Sequence, residues 1–242
     1  AFTFNHKMTS KNIGFGFSSI NDRIGPTSTS RVGIDLAYHL PINDAFLAVG
    51  IKIGMTNFNF DENIIETNTP NDLAFSFDDE GKFLSNIGFG LYYHRPRWYV
   101  GFSVPWFMEN ENFNTQKHYY VILGGLLNIS DSFEAKPSAL FKHTQDAAFA
   151  YDLSILILYN ELFWIGPQIR STLEKGVPSN EFGGGFGLIA GININKSISL
   201  GYSYNTSALG NVISNNHATH EIMLRFDLIP ALKSALRSPR IF

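Results

Sequence analysis

Hydrophobic residues recur at every second position in segment after segment of this chain. Across residues 11–19, Ile13, Phe15 and Phe17 alternate with Asn12, Gly14, Gly16 and Ser18. Across 86–93, Ile87, Phe89, Leu91 and Tyr93 alternate with Asn86, Gly88, Gly90 and Tyr92. Trp98, Val100, Phe102 and Val104 alternate with Tyr99, Gly101 and Ser103, and Ile198, Leu200, Tyr202 and Tyr204 with Ser199, Gly201 and Ser203. Successive side chains of an extended strand point to opposite faces, so this spacing specifies strands rather than amphipathic helices. Each strand then has one greasy face and one face of glycine and polar residues.

Thirteen such segments follow one another, at 2–8, 11–19, 31–39, 46–58, 86–93, 97–104, 118–127, 134–142, 149–158, 162–171, 182–191, 197–205 and 219–228. The links between them alternate in length. Short ones fall at 9–10, 40–45, 94–96, 128–133, 160–161 and 192–196. Mostly longer ones fall at 20–30, 59–85, 105–117, 172–181 and 206–218, with 143–148 the shortest of that set. An up-and-down barrel of the bacterial outer membrane alternates in this way, with tight periplasmic turns and long external loops. A Greek-key sandwich does not.

Composition narrows the choice. Charged residues make up only 16% of the chain, against about 25% in an average soluble domain. A net charge of −3 offers no field for a polyanion such as nucleic acid. The absence of cysteine excludes a disulfide scaffold, a thiolate metal site and a cysteine nucleophile. No apolar run approaches the ~18 residues of a spanning helix. Residues 1–20 show no basic start followed by an apolar stretch, so either the chain is mature or its beginning is missing.

The second face decides which way the sheet is turned. Besides glycine it carries Asp35, Lys52, Lys136, Lys142, Asp152, Arg170, Glu221, Arg225 and Asp227. It is too rich in glycine and too sparse in charge for a solvent surface. Lipid outside and a polar lumen inside fit it better, and closure satisfies every backbone donor and acceptor in lipid. The expected fold is all-β, an antiparallel up-and-down transmembrane β-barrel over 1–228 with a periplasmic C-terminal tail at 229–242. Both the first and the last of the thirteen strands run down toward the periplasm, whereas a barrel normally has an even count. A further strand before Ala1 is therefore expected, making fourteen.

Several motifs, in order, are recognisable. They are Asn21-Asp22-Arg23-Ile24-Gly25-Pro26-Thr27, then Tyr92-Tyr93-His94 leading into Arg97-Trp98-Tyr99-Val100-Gly101-Phe102-Ser103-Val104-Pro105. His118-Tyr119-Tyr120, Leu200-Gly201-Tyr202-Ser203-Tyr204 and His220-Glu221-Ile222-Met223-Leu224-Arg225-Phe226 follow, and the chain closes on Ser238-Pro239-Arg240-Ile241-Phe242. The series resembles the PorP/SprF family of the Bacteroidota type IX secretion system over nearly the whole length. The resemblance implies a non-enzymatic outer-membrane barrel without a cofactor, tied to secretion, gliding motility and cell-surface attachment of cargo adhesin domains. It also implies partners among the type IX components: the periplasmic ring or lipoproteins, and the translocon. One departure is that relatives usually begin earlier, with a segment supplying the first strand.

Candidate sites follow from this frame. The nine charges of the polar face mix both signs, which suits a mutually neutralising network better than a selective pore. Large inward residues Tyr92, Tyr99, Tyr120 and Trp164 serve as filler beside the glycines, giving a narrow or blocked lumen. Trp98, Tyr93 and Tyr159 suit an interfacial girdle. The longest link is acidic, and Asp61, Glu62, Asp78, Asp79 and Glu80 are its candidates for holding cargo; their spacing does not match a calcium loop. His118, His217 and His220 show no metal-ligand spacing, and Gly183-Gly184-Gly185 precedes more strand, so no metal or nucleotide is expected. The basic tail offers Lys233, Arg237, Pro239, Arg240 and Phe242 as a periplasmic partner contact, or else a strap across the barrel floor. The rival reading is an outer-membrane channel or transporter for small or hydrophobic solutes; an outer-membrane enzyme is a third.

Overall fold

A computed structural model describes residues 1–8, 11–60, 82–109, 116–145, 147–173, 184–208 and 218–227. Among them lie fourteen strands: β1 (Phe2–Met8), β2 (Ile13–Ile24), β3 (Thr27–Ile42), β4 (Ala45–Phe60), β5 (Lys82–His94), β6 (Trp98–Val104), β7 (His118–Gly125), β8 (Leu127–Asn128), β9 (Phe133–Thr144), β10 (Phe149–Tyr159), β11 (Phe163–Leu173), β12 (Gly184–Asn193), β13 (Ile198–Ala208) and β14 (Ala218–Phe226). Sequential neighbours pair in one sheet, in the up-and-down order the alternation requires. β8 is a two-residue continuation of β7 beside β9, set off by Leu126, whose amide hydrogen-bonds to the Arg97 carbonyl. Thirteen strands therefore traverse the sheet, one for each alternating segment. The fold is all-β and antiparallel, consistent with a barrel, and the described residues contain no helix.

The chain divides into two compact units. The first comprises the described parts of Ala1–Leu40, Leu47–Leu91 and Ser103–Lys117. The second comprises those of Pro41–Phe46, Tyr92–Phe102 and His118–Phe242.

In the first unit, β1 and β2 pair from Phe2↔Ser19 to Met8↔Ile13, and β2 and β3 from Ile13↔Tyr38 to Ile24↔Thr27. The expected long link at 20–30 is not there. Both strands continue through it to a two-residue turn of Gly25, at φ +57°, and Pro26. A glycine with positive φ at the first central position is what a type II′ hairpin turn asks for. Polarity inverts in this extension. Ser19, Asn21 and Arg23 stand on the face that carries Phe15 and Phe17 below, while Ile20 and Ile24 stand on the polar one. β4 repeats the change, with Asn57 and Asn59 following Ile51, Ile53 and Met55 on one face and Phe58 on the other. The greasy-face pattern ends before the strands do, which is why the hairpin reads as a loop.

In the second unit, continuous registers join β7 to β9, β9 to β10, and onward to β14. Short turns use positive φ at Asn160 and Glu161, the requirement of a type I′ turn. The ladder between β10 and β11 lapses between Ser154↔Gln168 and Ile157↔Ile165. Pro167 has no N–H to give there, and Gly166 lies so close to the Ile155 carbonyl that a Cβ would collide with it.

The two faces are inverted relative to a soluble protein. Ile34, Leu36, Ile53, Met55, Phe89, Ile155 and Phe186 are exposed, while Thr56, Asn86, Lys136, Asp152 and Ser199 are buried. Lys136 is only 4% exposed and Ile155 53%. An aqueous surface would not leave so many large apolar side chains uncovered. The apolar core is correspondingly small: Leu156, Leu158 and Trp164, with Leu126 and Ile189 packed against them.

Candidate functional site

The polar face is the candidate site, because there the charged side chains of neighbouring strands come together. Its side chains come from alternate positions on adjacent strands. In the first unit, the Lys52 ammonium on β4 lies 2.9 Å from the Asp35 carboxylate on β3 and donates to Ser18 Oγ on β2 at 3.2 Å. Gly33 and Gly16 make the room: a Cβ at Gly33 would come within 2.9 Å of Lys52 Nζ, and one at Gly16 within 3.3 Å of Asp35. The glycines of this face are therefore seats for the side chains beside them.

In the second unit, Asp152 on β10 binds two cations. Lys142 Nζ on β9 donates to its Oδ2 at 2.8 Å, and Arg170 Nε on β11 lies 3.5 Å from Oδ1. Register puts Arg170 directly opposite Asp152 and Lys142 one diagonal step away. Nearby, the Ser138 and Ser154 hydroxyls share a hydrogen bond of 2.7 Å. Arg225 Nε pairs with Asp227 at 3.1 Å at the end of β14. Seven of the nine charges thus lie in ion pairs. Lys136 is buried opposite Leu156 and makes a contact of its own, and Glu221 is exposed opposite Ser203.

Aromatic residues occupy further glycine seats. Tyr99 lies across Gly124, where a Cβ would meet the phenol oxygen at 2.6 Å, and Trp164 lies across Gly191. In the first unit Trp106 lies across Gly54, 2.8 Å from where its Cβ would be. An aromatic ring over a strand glycine covers backbone that the missing side chain leaves bare. Tyr99 and Trp164 are 2% and 5% exposed, whereas Tyr92 and Tyr120 are half-buried.

On the apolar face, aromatic pairs stand near both ends of the strands. Phe141 stacks on Phe149 at 5.9 Å near the long-link end. Tyr93 packs on Trp98 at 5.3 Å and Phe133 on Tyr159 at 5.0 Å near the short turns. From Phe149 to Tyr159 the strand runs eleven residues, ten steps of about 3.3 Å or about 33 Å in all. Tilted by about 40°, it rises about 25 Å, the height of an outer-membrane apolar band.

The histidines serve locally. His118 Nδ1 shares a 2.7 Å hydrogen bond with Thr144, and His220 Nδ1 one of the same length with the Tyr202 hydroxyl. No cluster able to hold a metal ion occurs among the described residues. His217, the acidic candidates Asp61, Glu62, Asp78, Asp79 and Glu80, and the tail candidates Lys233, Arg237, Pro239, Arg240 and Phe242 lie outside the described residues.

Sequence reading missed a charged rim at the short turns. Arg97 donates from Nε to the Leu126 carbonyl at 3.1 Å and from Nη2 to Asn128 Oδ1 at 2.6 Å, and it pairs with Glu134 at 3.3 Å. Arg95 pairs with Asp44 across adjacent turns at 3.5 Å. Its hydrogen bond to the Tyr93 hydroxyl, followed by the Asp44 charge, raises its pKa further above the ordinary arginine value. Arg-Pro-Arg between two alternating segments is the signal that could have located this rim.

A family model described as the type IX secretion system membrane protein PorP/SprF matches residues 1–226. No curated protein and no solved structure is significantly similar to the chain. The match covers the whole described sheet, and the exposed apolar face is what a membrane member requires. It implies an outer-membrane component of the type IX secretion system, in a family not known for enzymes. The chain belongs to the PorP/SprF family of type IX secretion system membrane proteins.

Proposed function

We propose that this protein is a passive scaffold of the type IX apparatus, a closed barrel whose apolar face contacts lipid and whose charged face is enclosed. One observation carries the reading: along the same strands, large apolar side chains are exposed while lysine, aspartate and serine are buried. Enclosed charges need partners, and the Lys52–Asp35 and Lys142–Asp152–Arg170 groups supply them. In this reading the barrel spans 1–228. Tail residues 229–242 lie in the periplasm.

The long-link side faces outward, and Asp61, Glu62, Asp78, Asp79 and Glu80 hold secreted cargo adhesin domains. Lys233, Arg237, Pro239, Arg240 and Phe242 contact the periplasmic ring, lipoproteins or translocon. Co-purification from native outer membrane tests both assignments. Deleting residues 61–80 is expected to abolish cargo capture while apparatus subunits still co-purify. Truncation after Leu228 is expected to do the reverse, with the barrel still folded. Full retention of cargo and subunits by both variants would remove the assignments, and a barrel misassembled by the truncation would make the tail a strap.

A further inference from the structure

We propose that Arg95 and Asp44, beside the lipid-facing Tyr93–Trp98 pair, form a binding site for a phosphoethanolamine headgroup, the zwitterionic end of a membrane phospholipid. The inference rests on the reading above that the apolar face meets lipid and the short turns lie on the periplasmic side, and it adds which lipid that rim selects.

All four residues belong to the second unit. Asp44 lies in the turn between β3 and β4, and Arg95 in the one between β5 and β6, where its amide hydrogen-bonds to the Trp98 carbonyl at 2.9 Å. The Arg95 guanidinium donates from Nε to the Tyr93 hydroxyl at 3.4 Å and brings Nη2 to 3.5 Å from Asp44 Oδ1. That ion pair is loose, since a charge-assisted hydrogen bond between such groups is about 2.7–2.9 Å long. It is also open, the two side chains being 44% and 62% exposed. Tyr93 packs on Trp98 at 5.3 Å on the apolar face. From there the exposed side chains of Trp98, Val100 and Phe102 follow one another down β6 over about 13 Å.

A guanidinium carries five N–H donors, more than these two contacts use, and a phosphate accepts from such donors in pairs. The Asp44 carboxylate alongside repels a headgroup of net negative charge and attracts a primary ammonium, which has N–H groups of its own to give. A phosphoethanolamine group presents phosphate and ammonium together and so meets both charges at once. A phosphoglycerol group offers the phosphate alone, and the quaternary nitrogen of phosphocholine has no N–H. Tyrosine and tryptophan suit the depth at which headgroup gives way to acyl chain. The apolar strip on β6 then lies where the chain would run.

Native mass spectrometry of the purified full chain tests this. The protein is released from detergent micelles holding equal amounts of dioleoyl phosphatidylethanolamine, phosphatidylcholine and phosphatidylglycerol, with folding scored beforehand by heat-modifiable gel migration. The native protein is expected to retain the ethanolamine lipid about two- to fivefold more than either of the others, the worth of an exposed ion pair. Arg95→Gln is expected to lower that retention by a similar factor. Asp44→Asn is expected to abolish the preference over the glycerol lipid. Lys11→Gln removes a charge at another short turn and is expected to change nothing. Equal retention of the three lipids by the native protein, which needs no variant to fold, would overturn the proposal. So would an ethanolamine preference that survives Asp44→Asn, or a loss in Lys11→Gln as large as in Arg95→Gln. Failure of the lipid-face reading is distinct: the protein would then retain none of the three lipids.

Discussion

At the scale of single residues, glycine acts on the polar face by what it leaves vacant. Gly191 admits the Trp164 ring, Gly124 admits Tyr99, and Gly33 admits the Lys52 ammonium. Adding one methyl at these sites is an overpacking change rather than a propensity change. Gly191→Ala is expected to cost about 1–3 kcal/mol of barrel stability, measured by urea unfolding in lipid vesicles. In a Trp164→Ala background the added methyl meets no ring but still comes within 2.7 Å of the Leu200 carbonyl, so its cost should fall only in part. Gly166 is a sharper case because its neighbour is backbone, the Ile155 carbonyl, which cannot swing aside. Gly166→Ala is therefore expected to reduce the yield of folded barrel more than Gly191→Ala does, read by heat-modifiable migration after refolding. These seats were legible only as alternation. The sequence shows glycine at every second position but not which ring or ammonium lies over it, because that depends on the neighbouring strand's register.

At the scale of the strand, the two faces should respond oppositely to charge. Arginine at Ile155, near the middle of the apolar band, is expected to cost about 2–4 kcal/mol, and near the band's edge about 0–1 kcal/mol. Arginine at Ser19 tests the edge, and vesicle unfolding measures both. Strand existence was fully readable from period two: each of the thirteen alternating segments is a strand. Strand ends were less readable. The 20–30 link is a hairpin because Ile20 and Ile24 continue the alternation with the faces exchanged, and a search for a greasy outer face stops at Phe17. The same exchange occurs at Asn57, Phe58 and Asn59 in β4. The natural lack of cysteine makes sidedness easy to check. Gly25→Cys should react with an impermeant maleimide on intact cells, and Asn195→Cys only after the outer membrane is opened. Equal labelling of both would contradict the assignment of long links to the outside.

At the scale of the molecule, neighbour order and inside-out polarity were both contained in the sequence, because a strand's faces are set by parity and its neighbours by turn length. The pairing partners of the polar face were not, since Lys142, Asp152 and Arg170 meet only when β9, β10 and β11 settle into register. The Arg97 rim was missed for the same reason: its partners Asn128 and Glu134 lie 31 and 37 residues away. Family membership and the exposed apolar face agree on a membrane protein, and all the proposals above stand on which face meets lipid.

A spin-label scan along β10, one label per position from Ala150 to Leu158 in the protein reconstituted into bilayers, tests that most directly. Accessibility to oxygen, which partitions into lipid, should peak at Tyr151, Leu153, Ile155 and Ile157, with minima at Asp152, Ser154, Leu156 and Leu158. A scan with the peaks on the Asp152–Leu158 set, or with no period of two, would contradict the account.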